Sequence, residues 1–280
     1  MQTDRETIDW QGREPDTAPA AALRVATWNI RKAVGLDRRR DPARVIAAIA
    51  DLRADIVALQ EADLRLGTRP AALSRHEISE ATGMEVVDVG GNPGSLGVHG
   101  NALLVRRDLL VRAAASIELP ALEPRGAITA EIAVPGLEAR VRVVATHLGL
   151  LRAWRRRQLA TIRTGLDAAA LPNTLILGDF NEWSTVRGLE ALAPDFAVLA
   201  PGASFHAARP LAPLDRIAHG RGLHAFGAGV VREGPSRIAS DHLPVWAEFA
   251  PALMPDASDH PAPAARPAPP RSRLRRLRRA

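Results

Sequence analysis

Apolar positions along this chain fall into two rhythms. Short runs that alternate or cluster and then stop at polar residues predict β-strands. They are LRVATWNI (23–30), DIVALQEAD (55–63), NALLVRR (101–107), AITAEIAV (127–134), ARVRVVATHL (139–148), NTLILGDFN (173–181), LDRIAHG (214–220), HAFGAGVVRE (224–233) and HLPVWAEF (242–249). Longer segments with apolar residues three and four apart predict helices. DPARVIAAIADLRA (41–54) has Asp41 placed as N-cap and Pro42 at the first helical position. PAALSRHEISEATG (70–83) closes at Gly83, and LRAWRRRQLATIRTGLDAAAL (151–171) is long and amphipathic. Strands joined both by hairpin-like and by helical connections, with no short repeat, predict an α/β or α+β domain whose sheets are covered by helices. One domain is expected over 23–250.

Composition changes this picture mainly at the ends. With 46% apolar and 24% charged residues the chain reads as a soluble globular protein. It has no cysteine, so any metal must use oxygen or imidazole ligands. Residues 1–22 carry a net −3 and 251–280 a net +5, which leaves only +4 of the total +6 on the body. Both end segments are expected to be disordered, the second being rich in Pro and Ala and then in Arg. That basic tail reads either as a solubilising segment or as a tether to anionic lipid or nucleic acid. The acidic start lacks the apolar stretch of a secretory signal, and no run approaches the ~20 residues needed to span a bilayer. A cytoplasmic monomer is the expectation, with peripheral membrane contact open through the tail.

The informative pattern lies at the strand ends. Asn29 follows RVATW, Glu61 follows DIVALQ, His147 follows VRVVAT, Asp179 and Asn181 follow LILG, and Asp241 and His242 precede LPVWAEF. Each alone has an ordinary explanation: a tight turn at Gly178 before Asp179, and elsewhere a turn, a cap or a salt-bridged surface group. Together they set carboxylates, carboxamides and imidazoles where open sheets build their sites.

ATWNI, ALQEAD, ATHL, GDFN, LDRI and SDHLPV, in this order, resemble the motifs of the endonuclease/exonuclease/phosphatase superfamily. Its members include deoxyribonuclease-I-like nucleases, abasic-site endonucleases, neutral sphingomyelinases and inositol polyphosphate 5-phosphatases. The resemblance spans about 24–249. It implies a four-layer αββα sandwich, two mixed β-sheets packed face to face with helices outside. It also implies Mg²⁺- or Mn²⁺-dependent hydrolysis of phosphate esters.

Carried onto this sequence, the resemblance makes Glu61 the main metal ligand, with Asn29 and Asp241 completing the set directly or through water. Oxygen donors of this kind suit Mg²⁺. Asp179 would orient or activate the attacking water, and Asn181 would donate to a phosphate oxygen. His242 would act as general base or stabilise the transition state, with Asp215 holding its imidazole in one tautomer. His147 would donate to the phosphate from the other side. Abasic-site enzymes use a tyrosine in this part of the site, and this chain has none, so the nuclease and sphingomyelinase branches are the better match. Arg125 is a phosphate clamp or a partner of Glu123, and Asn101 lines the cleft. His76, His99, His206, His219 and His224 read as structural or exposed.

An inert nucleic-acid- or membrane-binding protein on the same fold is the competing reading. Retention of every expected reactive residue type disfavours it. The substrate stays open among nucleic acid, a phospholipid headgroup and a small phosphodiester. Arg38, Arg39 and Arg40 stand either on a solvated loop or beside a multi-anionic substrate.

Overall fold

The structure is a computed structural model and describes residues 22–64, 67–90, 92–185 and 187–252. The expectations of disorder for 1–22 and 251–280 therefore fall, apart from Ala22, Pro251 and Ala252, outside the described residues.

Strict two-residue alternation dictates the layers. In β1 (Leu23–Asn29), Leu23 and Val25 point to one face and Ala26 and Trp28 to the other, and both faces are buried. The same holds in β2 (Ile56–Gln60), where Ile56 and Ala58 oppose Val57 and Leu59. A strand apolar on both sides must be covered twice. One cover is a second sheet and the other is helical, α1 (Pro42–Asp51) and α2 (Arg75–Thr82). Helix α1 starts as expected, with the Asp41 carboxylate accepting the Arg44 backbone N–H at 3.0 Å, and buries Val45, Ile46 and Ile49.

The first sheet adds β3 (Met84–Val86), β4 (Ala102–Arg106), β11 (Leu223–Val230) and β12 (Val245–Pro251), in the order β11-β12-β1-β2-β4-β3. The second comprises β5 (Leu110–Leu119), β6 (Arg125–Ala133), β7 (Val141–His147), β8 (Thr174–Asp179), β9 (Phe196–Leu199) and β10 (Asp215–Gly220), in the order β5-β6-β7-β8-β10-β9. Each sheet is mixed, with one parallel pair, β1 with β2 and β7 with β8. Val25, Ile56 and Leu103 of the first sheet meet Ile128, Val143, Leu177 and Ile217 of the second in the central apolar layer. Helix α3 (Arg152–Thr164) covers the outer face of the second sheet with Leu159 and Ile162. The short α4 (Ser236–Ala239) precedes β12. The result is the expected αββα sandwich. Among the described residues, no helix is long and apolar enough to cross a membrane.

Several boundaries differ from the sequence reading. Helix α2 begins at Arg75 rather than Pro70, because Ser74 caps it by accepting the Glu77 N–H, and it ends as expected at a left-handed Gly83. Helix α3 stops at Thr164 rather than near 171, with a separate 3₁₀ turn at Leu171–Asn173. Strands β3, β5 and β9 were not expected. β5 is an edge strand, exposed over much of its length, whose Ala, Arg and Glu composition hides its β character. Gly178 is not a turn but an interior residue of β8, paired with Thr146 and Arg216. A Cβ there would collide with the Thr146 carbonyl oxygen, so the sheet closes around the missing side chain. Gly178→Ala should therefore destabilise the fold by roughly 1–3 kcal/mol, read as a lowered urea midpoint at unchanged m-value.

Candidate active site

The alternation that fills the central layer also builds the site. Along β8 the residues facing the other sheet are Leu175, Leu177 and then Asp179; along β7 they are Val143, Ala145 and then His147. β10 runs the opposite way, so Asp215 precedes Ile217 on the same face. The registers pair His147 with Asp179 and Asp179 with Asp215, which sets three polar side chains abreast at one end of the sheet. Asn29 ends the apolar face of β1 opposite them. Its Nδ2 donates across the gap to Asp179 Oδ2 at 3.1 Å.

His242 reaches this point from the segment before β12. Ser240 Oγ donates to the Asn29 carbonyl at 2.7 Å, and Trp28 Nε1 donates to the His242 carbonyl at 2.8 Å, fastening that segment to the end of β1. His242 Nδ1 lies 2.9 Å from Asp215 Oδ2, which also accepts the Ser204 hydroxyl at 2.5 Å. Its Nε2 is 3.7 Å from Asp179 Oδ2, while His147 Nε2 approaches the same oxygen at 3.4 Å. The Phe205 ring packs on the imidazole with centroids 4.8 Å apart. Asp179, Asp215 and His242 each offer a ligand atom within 4.8 Å of the others.

The two histidines titrate in opposite directions. Burial dominates at His147 and pushes it from 6.5 down to about 4, against the pull of Asp179. Burial also opposes charge on His242, but Asp215, Asp179 and Asp241 outweigh it and raise the group to about 9. At neutral pH one imidazole is neutral and the other is a cation.

The remaining expected residues surround this cluster. Glu61 follows β2 with φ 51° and pairs with the Lys32 ammonium. Asp241 faces the Arg31 guanidinium at 3.4 Å, and the Arg31 backbone N–H donates to Asn29 Oδ1 at 3.1 Å. Glu61, Asn29 and Asp241 are thus linked through the Arg31–Lys32 turn as a set of oxygen donors balanced by cations. Arg125 and His147 line a cavity of about 60 Å³ together with Lys32, Glu61, His99 and Glu123. Arg125 also lies 3.9 Å from Glu123, the salt-bridge partner expected of it. Asn181 accommodates a positive φ and commits part of its amide to the Leu148 carbonyl at 2.9 Å. Asn101 is buried and clamps β4 to β6 by donating to the Gly126 carbonyl at 2.9 Å; its neighbour Gly100 lines the cavity. Asn101 Oδ1 has no hydrogen-bond partner among the described residues.

Other contributors escaped the sequence reading. Ser204 sits in a loop without motif character. Lys32 did carry a signal, being the sole lysine among 37 basic residues. Glu182, next to GDFN, is fully buried with Arg155 at 2.7 Å and Arg152 at 2.8 Å. Arg216, also buried, donates to the Glu182 and Ser184 carbonyls and so secures the loop after β8. His99, expected to be structural or exposed, is half-buried and lines the cavity.

A sandwich of two mixed sheets with a polar cluster at one end has the deoxyribonuclease-I-like fold. Residues 26–260 match the Endonuclease/Exonuclease/phosphatase family, and the chain belongs to that family. Its members are typically divalent-metal-dependent hydrolases of phosphate esters. The chain is 28% identical over 254 residues to the uncharacterized protein YbhP of Escherichia coli K12, covering 84% of this chain and 99% of that one. Its fold is similar to that of the Bacteroides thetaiotaomicron mannosyl-6-phosphatase Bt3783, with TM-score 0.63, 18% identity, and coverage of 81% and 99% of the two chains. It is also similar to D. rerio TDP2 complexed with a single-strand DNA product, with TM-score 0.61, 14% identity, and coverage of 82% and 99%.

Two outcomes follow from these charges. Asp215→Asn should lower the His242 pKa from about 9, read by NMR titration of the imidazole, because the nearest negative charge is lost. Glu182 resists ionisation through burial, but Arg152 and Arg155 overcome this and hold it at about 2 rather than 4.5. Its stabilising contribution is therefore complete above about pH 4.5 and is lost as pH falls towards 2, an effect on the order of 3 kcal/mol. Urea unfolding of wild type and Glu182→Gln between pH 6 and 2 should show a shallower pH dependence in the variant.

Proposed function

We propose that this chain hydrolyses phosphodiester or phosphomonoester bonds with Mg²⁺ or Mn²⁺, by in-line attack of water on phosphorus. The observation that carries this reading is the convergence of Asn29, His147 and His242 on one oxygen of Asp179. Phosphoryl transfer asks a protein chiefly for positioning and charge stabilisation, and this cluster offers both from rigid strand ends.

Glu61, Asn29 and Asp241 would hold the cation. All three donate oxygen, and the Lys32 ammonium on Glu61 marks a carboxylate already balanced by positive charge. When bound, the cation supplies polarisation of the phosphoryl oxygen and stabilises charge on the leaving oxygen. Asp179, its Oδ1 held by the Asn181 backbone N–H at 2.9 Å, would orient the attacking water. His242, held through Nδ1 by Asp215, would present Nε2 to the phosphate. Of its two roles, general base or transition-state stabiliser, the surrounding carboxylates favour the charged, stabilising one. His147 would donate to phosphate oxygens from the opposite side, with Arg125 on the cavity wall, and Asn181 would donate to a phosphate oxygen.

Mg²⁺-dependent hydrolysis of bis(p-nitrophenyl) phosphate tests the reading. EDTA should abolish activity and excess Mg²⁺ restore it, while Asp179→Ala and His242→Ala should each lower kcat ~10²–10⁴-fold. Equal rates for wild type and His242→Ala would rule the mechanism out.

A further inference from the structure

Among the described residues, five of the seven exposed large apolar side chains stand around the strand ends that carry the site. Leu122, Leu150, Leu151, Trp183 and Leu211 are 77%, 75%, 58%, 64% and 71% exposed. Each stands on a loop adjoining a strand end that carries a site residue. Leu122 lies in the β5–β6 connection before Arg125, and Leu150 and Leu151 follow His147. Trp183 follows Asn181, and Leu211 precedes Asp215. By contrast, Leu110 begins β5 at the end of the strand remote from Arg125.

These side chains are held outward by rigid local structure. Arg155 donates to the Leu150 carbonyl at 2.5 Å, and Leu151 is the N-cap of α3. The loop bearing Trp183 is secured beneath by Glu182, through Arg152 and Arg155, and by Arg216. Leu211 sits on a tight loop whose ends bridge at Phe205 and Ala212. Basic residues stand among them: Arg152, Arg156 and Arg157 on the first two turns of α3, and Arg209 beside Leu211, all exposed. Arg157 lies 5.2 Å over the Trp154 ring. Of the exposed acids nearby, Glu123 and Glu190 lie within 4.0 Å of Arg125 and Arg156 respectively, while Glu118 stands near the end of β5.

We propose that this rim is a docking surface for an anionic phospholipid bilayer, which sets the mouth of the site against phosphoesters presented at a lipid surface. Leucine and tryptophan side chains interleaved with arginine are what an anionic interface takes up: apolar tips enter the acyl boundary while guanidinium groups meet the headgroup phosphates. A second copy of the chain would bring the arginines face to face. A nucleic acid would use the arginines but offer the isolated leucines no apolar partner. The assignment of a lipid-borne substrate rests on the phosphoester-hydrolase reading of the site; the docking surface itself does not.

The test is co-sedimentation of the full chain with vesicles of equal phosphatidylglycerol and phosphatidylcholine, and with phosphatidylcholine alone. It compares wild type with the triple variant Leu150→Glu, Leu151→Glu, Leu211→Glu, whose fold is checked by circular dichroism and whose rate on bis(p-nitrophenyl) phosphate is measured alongside. The expected result is preferential wild-type binding to the anionic vesicles and at least a ~10-fold weaker partition of the variant, with the soluble-substrate rate unchanged. Undiminished binding by the variant would overturn the proposal. Absence of wild-type binding to anionic vesicles, or a preference for single-stranded DNA over them, would overturn it as well. Rim-dependent vesicle binding by a chain inactive on bis(p-nitrophenyl) phosphate would uphold the docking surface and defeat the hydrolase reading alone.

Discussion

One carboxylate oxygen, Asp179 Oδ2, joins the two sheets at the end of an otherwise apolar layer. Asn29 reaches it from the first sheet, His147 from the neighbouring strand of the second, and His242 from the segment leading into β12. A carboxylate this buried is costly unless hydrogen-bonded and balanced by charge. The position of every neighbouring element is constrained by that need. β1 must end at Asn29, β10 must begin at Asp215, and the Ser240–His242 segment must be fastened to β1 for the imidazole to arrive.

The same crowding separates two residues of one chemical type. His147 is buried near cations and loses its proton readily, whereas His242 is enclosed by three aspartates and keeps it. A site with one neutral and one charged imidazole has a hydrogen-bond donor of each kind on either side of the Asp179 oxygen. Neither state is a property of histidine alone. Both follow from which strand ends the sheets bring together.

Rigidity extends outward from this cluster to the rim. Glu182 and Arg216 are buried charged groups that secure the loop after β8 against α3 and β10. The loop after β8 therefore presents a polar inner side to the site and an aromatic side chain to solvent. Arg155 performs a similar service for the connection that carries Leu150. Reactive interior and apolar margin share the same anchors.

Much of this was legible in the sequence, because its physical causes are local. Two-residue alternation in LRVATWNI and VRVVATH determines which face each side chain takes, so the polar residues closing those runs were marked as a set before any contact was known. Asp41 and Gly83 announced helix ends through capping and left-handed backbone chemistry that operate within a few residues. Strand β5 was illegible because an edge strand exposed over much of its length shows only a broken apolar rhythm, and Gly178 read as a turn because its reason for being glycine is the carbonyl of Thr146 on another strand. Ser204 behind Asp215, Lys32 on Glu61 and the opposite charges of the two histidines were likewise decided only by tertiary structure. Pairings over such separations, and the desolvation that shifts a pKa, depend on register and on sheet-to-sheet packing, to which no neighbouring residue in the chain bears witness.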